Sequence, residues 1–149
     1  MTDEDAESLR SVVAWRRTGL VLGWGAVAAA GAGLLSRLPT REDPWPVATI
    51  LLLAAVVAGL LAPVFLRRAW AVPGVSDDPA VVRARAWSET VIGVYCAAVV
   101  FRFVGQELLG ADGAWVDVVR ALLGTALAVS YVGMLVLATR WRPAPVAQL

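Results

Sequence analysis

The chain contains no histidine, no lysine and no asparagine, and a single cysteine, Cys96. Each absence removes a chemistry. Without His, and with one Cys, haem and zinc sites lose their commonest ligands. A lone thiol forms neither an intrachain disulfide nor a dithiol relay, which excludes a quinone-coupled thiol oxidoreductase. The lack of Asn leaves no N-glycosylation acceptor, and the lack of Lys leaves no Schiff base. No nucleotide-binding glycine loop and no acid/base or nucleophile constellation is present, so the chain is expected to be no enzyme and to hold no metal or cofactor. All thirteen basic residues are Arg, whose codons are richer in GC than those of Lys, and a prokaryotic source of high GC content is therefore expected. A net charge of +1 gives no global field to attract nucleic acid.

What the chain does have is apolar length. Of its 149 residues 59% are hydrophobic and the mean hydropathy is +0.70, well above the roughly 45–50% apolar content of soluble domains. Residues Val47 to Leu66 include no charged side chain and one hydroxyl, Thr49. A helix rising 1.5 Å per residue carries such a run across a hydrocarbon core of roughly 30 Å, and a spanning segment must be helical to satisfy its own backbone.

Three further spans flank this one. Residues 18–35 are uncharged and hold glycines at 19, 23, 25, 31 and 33. Small residues permit close backbone approach in lipid, so Gly19, Gly23, Gly31 and Gly33 are expected to pack and the first span to be the most buried. The small residues Ala28 to Gly33 and the pair Arg16, Arg17 also fit a cleavable signal or a twin-Arg signal. Anchoring at a cytoplasmic helix end is the preferred reading, because other spans follow. The third span, 90–109, contains Arg102 and Glu107. An Arg at mid-span costs roughly 2.5–3.5 kcal/mol, but Arg102 lies near the far boundary, where its stem can snorkel. The fourth span, 118–138, is entered at Arg120 and closed by Arg140, Trp141 and Arg142.

Local signals mark the helix ends. Thr2 and Asp5 suit a capping box, Asp43–Pro44 and Asp78–Pro79 read as N-cap followed by N1 proline, and Asp112–Gly113 begins the last turn. Pro63 predicts a bend near the end of the second span, and Pro143 and Pro145 stop the fourth. Nine Arg fall on the tail, middle loop and C-terminus, against Arg37 and Arg41 outside. The positive-inside rule then predicts a single domain, residues 1–149: an all-α polytopic membrane protein with four transmembrane helices in an up-down bundle and both termini cytoplasmic. Six of the seven Trp fall at span ends, where aromatic side chains suit the interface, and only Trp24 lies inside.

Ala14, Trp15 and Thr18 recur 72 residues later as Ala86, Trp87 and Thr90, and Trp45 and Trp70 have counterparts at Trp115 and Trp141. A duplicated hairpin gives these offsets, but so do any two equal hairpins with boundary Trp, and that simpler reading is preferred.

Two polar stripes provide a candidate site. Tyr95, Val99, Arg102 and Gln106 share one helical face, as do Asp117, Arg120, Gly124, Ala128 and Tyr131. Facing each other, they would put two guanidinium forks near the outer boundary, suited to an anion or a lipid headgroup. Read structurally, they form an ion-pair network with Glu107, Asp112 and Asp117, which is the preferred reading. Glu89 is the acid nearest the membrane interior and is expected to pair with Arg85 four residues earlier. Four-helix drug/proton exchangers have this size, but they carry a carboxylate in mid first helix and this chain has none there.

The functional expectation is a non-enzymatic accessory or scaffold subunit, or a small homo-oligomer, in the cytoplasmic membrane, with membrane lipids and either further copies of itself or a membrane-complex subunit as partners, and no nucleic acid. The alternative is a small transporter or channel with its ligand site near Arg102 and Arg120.

Overall fold

The computed structural model describes residues 3–36, 45–73, 75–108, 110 and 112–142. Among the described residues four helices are long and apolar enough to cross a membrane: α1 (Asp3–Leu35), α2 (Trp45–Trp70), α3 (Pro79–Val100) and α4 (Ala114–Arg140). The Thr2 capping box, Arg37, Arg41, the Asp43–Pro44 helix start, Pro143 and Pro145 lie outside the described residues.

Where helix ends are described, local chemistry accounts for them. Asp78 caps α3: its Oδ1 accepts from the Ala80 amide at 2.7 Å, and Pro79 occupies the first turn, where a missing N–H costs nothing. Before α4 the backbone turns through Gly110 (φ +62°) and Gly113 (φ +90°), a region that favours residues without a Cβ. Helix α2 continues through Pro63 to Trp70.

Helix α3 departs from the expected single span. From Phe101 to Leu108 the backbone winds as a π-helix, so Arg102 and Glu107 lie on a wider turn than an α-helix offers. The face predicted for Tyr95, Val99, Arg102 and Gln106 assumed 3.6 residues per turn, and that register does not carry past the start of the wider winding.

The helices pair as two antiparallel hairpins. In the first, a Cβ on Gly19 would meet Leu66 at 2.8 Å and one on Gly33 would meet Leu52 at 3.0 Å, so α1 and α2 touch along most of their length. Trp15 stacks on Phe65 at 5.5 Å, with the Arg68 guanidinium over the indole at 5.1 Å. In the second, Trp87 packs on Gly133 and Phe101 meets Trp115 edge-on at 6.1 Å.

Between the hairpins, contact is concentrated at one end. The core there comprises Leu66, Ala69 and Trp70 of α2, Val81 and Ala84 of α3, and Met134, Leu135 and Ala138 of α4, with Val12 and Trp141. This is the closed end. Beyond Val91, α3 buries no residue among those described, and α4 buries none between Val116 and Ser130. The hairpins therefore part toward the other end. The first span is no more buried than the second and fourth: α1, α2 and α4 each bury 22% of their apolar windows and α3 buries 11%. Glycine lets α1 approach α2 closely, but it also leaves less side chain to enclose.

Candidate functional site

Polar groups gather at the closed end, where they join the two hairpins. The last carbonyls of a helix have no intrahelical donor. Two arginines supply them. Arg16 of α1 donates to Thr139 O at 3.0 Å and Ala138 O at 3.3 Å, at the C-terminus of α4. Arg85 of α3 donates to Trp70 O at 3.3 Å, the last carbonyl of α2. Each hairpin's first helix thus caps the second helix of the other, and each cation meets the negative end of a helix dipole.

Side-chain bonds brace the same end, within the second hairpin and across to the first. Trp141 Nε1 donates to Asp78 Oδ2 at 3.1 Å, so the carboxylate that caps α3 also holds the end of α4. Arg67 Nε donates to Ser88 Oγ at 3.1 Å, and its Nη2 lies 3.8 Å from Glu89. Glu89 therefore pairs across to α2 and not with Arg85, which is engaged at Trp70. Trp24 Nε1 donates to Thr139 Oγ1 at 3.2 Å.

The two polar stripes lie along the opening. Tyr95 and Val99 continue the helical phase of the buried Ala84, Ser88 and Val91, whereas Arg102 lies on the wider π-helical winding. Asp117, Gly124, Ala128 and Tyr131 continue that of Leu135 and Ala138. The five candidate residues nevertheless do not converge. The Phe101–Trp115 contact sets Arg102 level with the start of α4, at the same height as the turn that carries Asp117 and Arg120. Tyr131 lies eleven residues from Arg120, about 16 Å along the axis. Because Trp87 is level with Gly133, Tyr95 sits roughly two turns above Tyr131.

At the rim, Arg120 pairs with Asp117 at 3.4 Å, both well exposed. Among the described residues Arg102 forms no ion pair, so the expected network with Glu107 and Asp112 is reduced to one i,i+3 contact. Deeper in, the Tyr131 hydroxyl is buried without a hydrogen-bond partner among the described residues. A Cβ on Gly59 would lie 3.8 Å from it and equally close to the Ala26 Cβ, so α1, α2 and α4 meet there.

Of the four packing glycines, Gly19 and Gly33 face α2, Gly23 faces Leu135 of α4, and Gly31 has nothing within 4 Å of a built Cβ. Among the described residues no three acidic or thiol side chains converge as metal ligands. Sequence reasoning missed Arg16 and Arg85 as inter-hairpin caps, because their acceptors are backbone carbonyls remote in the chain. Comparison with family models, with curated proteins and with solved structures gives no match.

Proposed function

We propose that this chain is a non-enzymatic integral protein of the cytoplasmic membrane of a prokaryote, crossing four times with both termini in the cytoplasm, and that it acts by packing. In this reading it is an accessory or scaffold subunit, or a small homo-oligomer. The observation that supports it is the uneven burial of the second hairpin: α3 buries half the share of its neighbours, and its far half carries Tyr95, Val99, Val100 and Phe103 exposed. A helix face left uncovered by its own chain is available to another helix, and association in lipid needs only close packing.

Cys96 lies exposed on that half of α3 and is the only thiol, so any thiol-to-thiol link must join two chains. Oxidative or bis-maleimide cross-linking in native membranes is expected to give one adduct of defined mass, twice the monomer for a homo-oligomer. Monomer alone at every linker length contradicts the reading.

A second reading, a small transporter or channel, draws on the course of the two polar stripes along the opening, with Arg102 and Arg120 at its outer rim. Here Arg102→Gln with Arg120→Gln abolishes anion binding or transport while the protein still inserts and folds. If flux or binding persists in that variant, the arginine site is wrong.

A further inference from the structure

The outward face of α1 carries a feature that neither hairpin packing nor the opening uses. Leu9, Arg10, Val13, Ala14, Arg17 and Thr18, all on α1, line a shallow and largely open groove between their side chains. Their spacing places them on one face over two and a half turns, with a guanidinium at each end and an apolar floor between. Arg17 is the last charged residue before the uncharged run that begins at Thr18. The groove therefore lies where apolar helix gives way to charge. Arg16, one residue away, faces inward and is engaged at α4, whereas Arg10 and Arg17 make no hydrogen bond or ion pair among the residues whose side chains are described, Glu7 onward. On the adjacent face, Arg68 covers Trp15.

The geometry points to an anionic phospholipid bound in this groove. The phosphodiester lies between Arg10 and Arg17, with Thr18 Oγ1 as a further donor, and an acyl chain runs along the exposed face of α1 past Val21 and Gly25. Three features favour such a ligand over a soluble anion. The two arginines match phosphate in charge and fork geometry. The floor between them is apolar, which suits a glycerol and ester region. The face beyond Thr18 is uncharged and open, Val21 being 65% exposed and Gly25 having nothing within 4 Å of a built Cβ. The inference rests on the four-span reading but is independent of oligomeric state and of the Arg102 rim.

The test uses the full chain reconstituted in phosphatidylcholine vesicles that contain trace spin-labelled phosphatidylglycerol or spin-labelled phosphatidylcholine, and reads the motionally restricted fraction. Wild type is expected to favour phosphatidylglycerol over phosphatidylcholine by roughly thirtyfold at one site, the weight of two arginines against an anionic headgroup. Arg10→Gln with Arg17→Gln removes the preference. Arg83→Gln with Arg140→Gln, which takes the same charge from exposed positions at the same end, retains it. Equal loss in both double variants overturns the proposal in favour of diffuse surface charge. Full competition by soluble glycerol phosphate overturns it in favour of a free-anion site, and an unchanged preference in the Arg10/Arg17 variant overturns it outright. Vesicle flotation separates the two levels of failure: a chain that does not float with the vesicles refutes membrane insertion itself, whereas one that floats without the preference refutes the groove alone.

Discussion

Single side chains at the closed end carry more than one duty. The Asp78 carboxylate caps α3 through one oxygen and accepts from Trp141 through the other. Its loss should therefore exceed that of an ordinary cap, about 1 kcal/mol. In a double-mutant cycle of Asp78→Ala and Trp141→Phe, followed by unfolding in detergent, we expect a coupling of about 0.5–1.5 kcal/mol. Additive effects would mean that the indole bond contributes nothing. The Tyr131 hydroxyl presents the opposite case, a buried donor with no acceptor among the described residues. Removing an unsatisfied group relieves its desolvation penalty, so Tyr131→Phe should leave stability unchanged or raise it by about 1 kcal/mol. A lower unfolding midpoint would indicate that the hydroxyl has a partner. The Asp78 cap was legible from sequence because its signal is local, Asp followed by Pro. The Trp141 bond joins positions 63 residues apart and left no pattern to read.

At the scale of helices, the glycines separate into those that another helix fills and those that it does not. A Cβ at Gly133 would lie 2.7 Å from the Trp87 ring, and Trp87 is a rigid neighbour. Gly133→Ala should cost about 1–3 kcal/mol through overpacking, measured as a drop in thermal midpoint. Gly31→Ala, in open space, should be neutral or slightly stabilising because Ala is the better helix former. Equal effects at the two sites would contradict the interhelical geometry. From sequence, Gly31 counts among the packing glycines and Gly133 is not singled out. A span built almost wholly from Ala, Val, Leu and Gly has little amphipathic contrast, so its rotation about its own axis is not encoded in polarity. The π-helical turn from Phe101 was hidden for another reason. Its segment alternates polar and apolar residues strongly, but the pattern was read at 3.6 residues per turn, and the change of register alters which residues share a face with Arg102. Glu89 shows the limit of local rules differently. An i,i+4 partner was available at Arg85, but Arg85 is engaged by the end of α2 and Glu89 lies near Arg67.

For the whole molecule, the number of long apolar helices and their approximate bounds were legible, because a membrane imposes a minimum run length that few other constraints imitate. The division into a closed and a parted end was not, since it depends on which helices share contacts and not on how apolar each is. Reciprocal capping by Arg16 and Arg85 gives the two hairpins an approximate two-fold likeness, with Trp70 and Trp141 both buried at corresponding ends. The likeness agrees with the offset of 71 residues between those two Trp, although two hairpins of equal length meeting end to end would produce it without a shared origin.

The central claim is that four helices cross a bilayer and return both termini to the cytoplasm. Paired alkaline phosphatase and fluorescent-protein fusions after Arg41, Asp78, Asp112 and Leu149 test it most directly. The account predicts outside, inside, outside, inside in that order. A fusion after Leu149 that is active outside would mean that the Arg102-bearing segment does not cross, and would contradict the four-span arrangement.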